Sequence, residues 1–227
     1  MVGNRKTNSS KRPSTGPLPP TRRLQANTYS HLLDSTMELI KASGVVPSVA
    51  EVARHACVSR ATAYRYFASR SALIAAVMDT SLGPVREFES NYTSGPDRVR
   101  DLFKRTFPRF QEFEAQMRAA VQLSLQHWAQ ERSGALNEEP FRRGHRVAIM
   151  AKAIKPMKSI LSKVKYDRLH HALTVVYGIE TWFILKDIWG LSDRNIEHLA
   201  IWMADTLVQA SLAESLESHQ NKESYIR

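Results

Sequence analysis

Apolar residues recur with the 3.6-residue period of a helix along most of the chain from about residue 21 onward. A first helix is predicted over residues 21–43, where Leu32, Leu33 and Ile40 share one face and Gly44 follows as a stop signal. Residues 1–20 show no period and are rich in Ser, Pro, Asn and Lys. We expect this tail to be disordered.

Two short helices joined by a tight turn are predicted within residues 48–73. The first begins after Ser48, a favourable cap, and its apolar residues follow the spacing i, i+3, i+4, i+7: Val49, Val52, Ala53 and Ala56. The turn occupies residues 56–59, and Ser59 can cap a second helix over 60–67. Ala63 and Phe67 face inward on that helix, and Ser69 can cap a fourth helix from residue 70.

The outer side of the second short helix is cationic and rich in hydrogen-bonding groups. It carries Arg60, Thr62, Tyr64, Arg65 and Tyr66. This combination is typical of a helix-turn-helix, whose second helix enters the DNA major groove.

This stretch resembles the DNA-binding region of the tetracycline-repressor (TetR) family. The matching residues are Ala56-Cys57-Val58-Ser59, Thr62-Ala63-Tyr64, Phe67, Arg70 and Leu73. The chain departs from the family pattern twice. Cys57 stands where the family usually has Gly, at a turn position where a positive φ is expected, and Ala63 stands where Leu is common.

The resemblance implies a set of DNA-contacting residues: Arg60, Ala61, Thr62, Tyr64, Arg65, Tyr66, Arg70 and Ser48. Arg60 can bridge guanine O6 and N7, and the methyl group of Ala61 can meet thymine. Arg70, at the start of the next helix, matches a position that attracts phosphate. Arg65 is either a contact or an exposed flank, and Ser48 either caps only or also touches phosphate.

Further helices are predicted from apolar patterns in the rest of the chain. We expect an apolar stripe over 97–107 interrupted at Pro108, a helix over 110–132, a helix that starts at Pro140 and bends at Pro156, a long apolar stretch over 166–190, and a last helix capped by Ser192. The fold class is thus all-α. We divide the chain into a tail (1–20), a three-helix DNA-binding domain (21–80) and a helical ligand-binding and dimerisation domain (81–227).

The last two helical segments are apolar on more than one side, so each needs cover on more than one side. In TetR-like proteins the last two long helices form the dimer interface, and the resemblance therefore implies a homodimer. Two recognition helices about one DNA turn apart, or a multiple of it, would read a near-palindromic operator.

An effector pocket among the middle helices is a further implication of the resemblance. Its candidate residues are Phe103, Phe107, Met117, Trp128, Met150, Tyr177, Glu180 and Trp182, with Phe110 beside them. The alternative is that the aromatic and Met residues are only core. Glu180 lies in an apolar run and needs a partner, which could be Arg, His or a cationic ligand, unless it projects to solvent or pairs across the dimer.

Composition narrows the function classes. The net charge of +10 favours a polyanionic partner, and 43% hydrophobic residues suffice for a core. We expect no membrane span, no secretory signal and, with one cysteine, no intrachain disulfide, which suits the cytoplasm. The chain up to Tyr29 has no acidic residue, and its basic residues either only solubilise it or form an arm that follows the phosphate backbone or a minor groove of DNA: Arg5, Lys6, Lys11, Arg12, Arg22 and Arg23.

No catalytic or metal-binding motif stands out. The adjacent His170 and His171 point to different helix faces, which argues against a metal site. Cys57 could sense oxidants, but we favour the interpretation that it is a small residue tolerated at a tight turn. We therefore predict a non-enzymatic, cofactor-free regulator: a homodimeric repressor that a small-molecule effector releases from DNA. The alternative is an architectural or ligand-independent DNA-binding protein.

Overall fold

The computed structural model describes residues 12–224, and every regular element in that part of the chain is helical. The all-α prediction is confirmed. The α-helices are α1 (Arg23–Ser43), α2 (Val49–His55), α3 (Arg60–Tyr66), α4 (Arg70–Leu82), α5 (Gly95–Glu112), α6 (Glu114–Ser133), α7 (His145–Ala153), α8 (Lys163–Val176), α9 (Ile179–Phe183) and α10 (Asp193–Ser224). No helix among the described residues has the length and apolar character needed to cross a membrane.

The helices form two compact units. Among the described residues, the first contains 12–81 together with Ala115–Gly144, and the second contains Leu82–Glu114 and 145–224. The first unit thus takes in α1 to α4 and nearly all of α6. The helix-turn-helix predicted from the sequence lies in this unit.

Capping residues set the ends of the first helices. Gly44 adopts φ 74° and donates its amide hydrogen to the carbonyl of Ile40, which closes α1. Ser48, Ser59 and Ser69 each accept a backbone hydrogen bond from the third residue after them, at the starts of α2, α3 and α4. These caps agree with the sequence-based predictions.

The segment that precedes α1, which we call the leading segment (residues 12–20), has no helix but has fixed partners in the first unit. Gly16 donates its amide hydrogen to the Asp79 carboxylate over 2.9 Å, and Ser14 exchanges two hydrogen bonds with the backbone of Arg142. The tail 1–20 is predicted to be disordered, and within it these hydrogen bonds give Ser14 and Gly16 specific partners in the first unit. Residues 1–11, with Arg5, Lys6 and Lys11, lie outside the described residues.

The segment after α6 differs from its prediction. We expected a helix from Pro140, but residues 135–144 form a loop and α7 begins at His145. The amide hydrogens of Phe141 and Arg142 are donated to the side chains of His127 and Ser14 instead of to helix carbonyls. These tertiary hydrogen bonds stabilise a non-helical conformation of the loop.

In the second unit, α5 continues through Pro108 to Glu112, and the apolar stretch 166–190 divides into α8, α9 and a π-helical turn at Ile184–Ile188. The last helix, α10, packs against α5 and α8. Its buried face is built mostly from small side chains spaced three or four residues apart: Ile196, Ala200, Ala204, Val208, Ser211 and Ser215.

Candidate nucleic-acid interface

The helix α3, the second helix of the predicted helix-turn-helix, has a buried inner face and an exposed outer face. Ala63 and Phe67, predicted to face inward, are almost completely buried. Its outer face, which we call the α3 outer face, consists of Arg60, Ala61, Tyr64 and Arg65, all exposed. Four of the predicted DNA-binding residues therefore lie together on one accessible surface.

Thr62 and Tyr66, the other two predicted contacts on α3, are half-buried. The Thr62 hydroxyl lies 2.9 Å from that of Ser59, within the cap of the helix. The Tyr66 ring meets that of Tyr29 edge-on at 6.3 Å, and the Arg65 guanidinium lies 5.4 Å from the centre of the Tyr66 ring. Both side chains thus belong partly to the packing of the first unit.

A shallow cleft of about 260 Å³ lies beside Tyr66. The leading segment forms one side of it, and α1 and α3 form the rest; its lining residues are Pro17, Leu18, Pro20, Gln25, Tyr29, Arg65 and Tyr66. The exposed Arg22 and Arg23 follow at the junction with α1. Basic residues next to the leading segment therefore lie in the same unit as the α3 outer face.

Ser48 at the start of α2 forms a reciprocal capping box with Glu51. The Ser48 hydroxyl accepts the Glu51 amide hydrogen, and the Glu51 carboxylate accepts both the amide and the hydroxyl hydrogens of Ser48, at 2.8 and 2.7 Å. The backbone hydrogen bond from Ser48 is the main reason that the pKa of Glu51 is lowered. The capping role of Ser48 is thus present in the structure.

The turn between α2 and α3 contains the positive φ expected from the sequence. Cys57 has φ 54°, and among the described residues it is the only one other than glycine with a positive φ. The Val58 amide hydrogen returns to the carbonyl of Ala53 over 3.0 Å and closes the turn. Cys57 itself is exposed.

Arg70 occupies the predicted position at the start of α4, but it has an internal partner that the sequence did not reveal. Its backbone amide and its Nε atom each donate a 3.0 Å hydrogen bond to the carboxylate of Glu138. Glu138 lies 68 residues further along the chain, in the loop after α6. No local sequence pattern could have identified this pair.

His127 of α6 supports the same carboxylate from a fully buried position. Its Nδ1 atom accepts the Phe141 amide hydrogen over 3.0 Å, so the ring hydrogen resides on Nε2. Nε2 donates it to Glu138 over 3.1 Å. Burial lowers the pKa of His127, because the charged imidazolium is poorly solvated there.

The predicted effector residues of the second unit form one buried aromatic cluster, comprising Phe103, Phe107, Phe110, Tyr177 and Trp182. Neighbouring ring centres lie between 5.4 and 6.3 Å apart. The Trp182 indole nitrogen is buried and has no hydrogen-bond partner among the described residues. Met150 is also fully buried in this unit.

Three predicted effector residues are not members of this cluster. Met117, which is buried, and Trp128 belong to α6 in the first unit. Trp128 is 58% exposed and stacks with the Arg132 guanidinium, and its role in ligand binding stays a prediction. Glu180 is partly exposed and accepts a 2.6 Å hydrogen bond from Arg146, which supplies the partner that its position required.

Parts of this chain resemble known proteins. A solved structure from Mesorhizobium loti, described as a TetR-family transcriptional regulator, is 17% identical, with a TM-score of 0.49 over 83% of this chain and 96% of its own. None of the curated proteins matches the chain. Residues 32–77 match the family model "Bacterial regulatory proteins, tetR family". These residues run from α1 into α4 and include the whole helix-turn-helix, so this part of the chain is similar to the corresponding region of bacterial regulatory proteins of the TetR family.

Proposed function

We propose that this protein is a homodimeric repressor that binds a near-palindromic operator and leaves it when a small effector binds. The observation that carries the proposal is the α3 outer face, a cationic and hydrogen-bonding surface on a helix whose opposite side is buried. Arg60, the first residue of α3, has the reach to bridge guanine O6 and N7, and Ala61 presents a methyl group suited to thymine. Tyr64 and Arg65 supply further base or phosphate contacts.

Residues close to α3 are suited to contact the phosphate backbone of the same DNA. Arg70 sits at the first turn of α4, where the helix dipole adds to its positive charge. Tyr66, the last residue of α3, and Ser48, the cap of α2, supply further hydroxyl groups. Contacts of this kind orient the protein on DNA and carry little sequence information.

Dimerisation is supported by apolar residues that α8 and α10 leave exposed in the single chain. On α10, Trp202 and Leu216 are 63% and 66% exposed, and on α8 the exposed apolar residues are Val164 and Val175. Because exposed large apolar residues on the last two long helices are typical of a protein–protein interface, we assign these surfaces to a second copy of the chain.

The aromatic cluster is the proposed effector site. Its aromatic rings suit a planar apolar ligand, and the Trp182 N–H, which has no hydrogen-bond partner in the described part of the chain, could donate to an acceptor on that ligand. Phe103, Phe107, Met150, Tyr177 and Trp182 are the proposed contacts, with Glu180 and Arg146 as a nearby charged pair.

The experiment that tests the DNA role is selection of bound duplexes from a random pool, read by sequencing. Enrichment of an inverted repeat supports a dimeric, sequence-specific regulator. Arg60→Ala should then cost about 1–3 kcal/mol and relax the preference at one base pair of each half-site. Arg194→Ala, which removes an exposed arginine from α10, is the matched control and should leave the selected site unchanged.

Enrichment of nothing beyond A·T content would contradict the proposal and favour an architectural DNA-binding protein. The effector role is tested on the selected operator, by screening aromatic acids and phenols for release of the protein from DNA. A releasing compound should lose its effect in Trp182→Phe, which removes the N–H donor and keeps an aromatic ring.

A further inference from the structure

Glu138 holds its carboxylate against the first turn of α4. One of its oxygens accepts the Arg70 amide hydrogen, and the other accepts from Arg70 Nε. An amide at a helix N-terminus beside a guanidinium is the same donor pair that binds the oxygens of a phosphate. Glu138 therefore presents to Arg70 the geometry of an anion bound at this turn.

The carboxylate is fixed in position and is not a loosely held surface partner. The side chain of Glu138 is 16% exposed, and His127 donates a third hydrogen bond to it from inside the first unit. The next residue, Glu139, accepts a 2.6 Å hydrogen bond from the Ser71 hydroxyl through its backbone carbonyl. Residues on α4 and α6 thus hold the loop in register with the start of α4.

We propose that Glu138 is an intramolecular competitor for the DNA phosphate that Arg70 binds, so that displacement of Glu138 sets part of the protein's DNA affinity. The inference rests on the proposed role of Arg70 in DNA binding. With Glu138 in place, the charge of Arg70 is neutralised within the protein, and an approaching phosphate meets a carboxylate of like charge. When Glu138 leaves, Arg70 and the first amide of α4 become available to the phosphate.

The substitution Glu138→Gln tests this competition, because it keeps the shape of the side chain and removes its charge. With a fluorescein-labelled duplex of mixed sequence, we expect the variant to bind roughly three- to fivefold more tightly by fluorescence anisotropy. The slope of log affinity against log salt should steepen by about 0.9, the value for one additional phosphate contact.

Glu131→Gln is the matched control. It makes the same change in net charge, but Glu131 pairs with Arg142 and not with Arg70. This control should shift the affinity much less than Glu138→Gln does. An equal shift in both variants would mean that only the overall charge matters, and would overturn the inference.

Combination with Arg70→Ala separates this inference from the proposed function. We expect Arg70→Ala to weaken binding and to abolish the gain from Glu138→Gln in the double variant. If Arg70→Ala weakens binding but Glu138→Gln does not strengthen it, the competition is wrong and the DNA role of Arg70 stands. If Arg70→Ala has no effect, the DNA role of Arg70 fails, and the competition fails with it.

Loss of the folded state is monitored by circular dichroism of each variant. Glu138→Asp provides a second route if the Gln variant unfolds, since it keeps the charge but shortens the side chain by one methylene. We expect it to bind DNA more tightly than the parent and less tightly than Glu138→Gln. Binding equal to or weaker than the parent's in a folded Asp variant would contradict the inference.

Discussion

Tyr29 donates its phenolic hydrogen to the carbonyl oxygen of Pro17 over 2.8 Å, and this bond connects the leading segment to the core of the first unit. The Tyr29 ring also lies 5.1 Å from Phe67, the residue that ends α3. One side chain therefore contacts both the segment before α1 and the end of the recognition helix. The position of the leading segment is part of the packing that supports α3.

Gly16 is the residue that allows the leading segment to approach α4 so closely. A Cβ atom at this position would lie 2.5 Å from the Cα atom of Ala76, closer than the two atoms can pack. We expect Gly16→Ala to lower the free energy of unfolding by about 1–3 kcal/mol, measured by urea denaturation. Thr15→Ala, at an exposed neighbouring position, is the control and should change it little. Equal stability of Gly16→Ala and the parent would show that the close approach contributes nothing.

Cys57 carries the positive φ of the turn between α2 and α3 without the freedom of glycine. We expect Cys57→Gly to raise the free energy of unfolding by about 0.5–1 kcal/mol, because relief of the left-handed conformation exceeds the entropy that glycine gains on unfolding. Cys57→Ala keeps the conformation and removes only the thiol, so it should leave stability nearly unchanged. Thermal unfolding of the three proteins gives the comparison, and a less stable Gly variant would refute the expected strain.

The features that the sequence predicted well are those decided within a few residues. The serine caps, the Gly44 stop and the positive φ at Cys57 depend on neighbours within one turn, and the structure has them. The contact between Arg70 and Glu138 joins residues 68 positions apart, and only the fold brings them together. The same limit explains why the helix predicted from Pro140 is absent there. The amide hydrogens of Phe141 and Arg142 bind side chains that are distant in sequence, and the sequence pattern did not reveal these contacts. Trp128 follows a helical apolar pattern, but the pattern alone could not show that its indole is exposed.

Because the phenol of Tyr177 is buried, we expect the free energy of unfolding to depend on pH in the alkaline range. Burial raises the pKa of Tyr177, whose hydroxyl lies 2.9 Å from that of Thr106. A raised pKa in the folded state means that folding favours the protonated phenol. The phenol therefore contributes fully to the free energy of unfolding below its pKa in the unfolded chain, near 10, and this contribution declines as the pH rises above that value. We expect the free energy of unfolding in urea to fall between pH 9 and about pH 11. Tyr177→Phe should cost about 0.5–1.5 kcal/mol at neutral pH and reduce that alkaline loss. An alkaline loss that is the same in Tyr177→Phe would assign it to other groups.

Trp202 tests the proposed dimer. It is a large exposed apolar residue on α10, so a charge introduced there would be buried without a partner if a second copy covers it. We expect Trp202→Glu to shift the protein from dimer to monomer in sedimentation velocity and to weaken operator binding. Trp128→Glu makes the same change at an exposed tryptophan of the first unit and should leave the dimer intact. A parent protein that sediments as a monomer would refute the dimer directly.

The first unit is discontinuous along the chain, since Ala115–Gly144 joins it after a stretch that belongs to the second unit. A fragment that stops at Ser81 would retain every residue of the 32–77 family match. It would nevertheless lack both Glu138, which accepts the Arg70 amide hydrogen, and Arg142, which pairs with the backbone of Ser14. The first unit is therefore assembled from two separate stretches of sequence, and we expect a fragment cut at Ser81 to lose the contacts that the later stretch supplies.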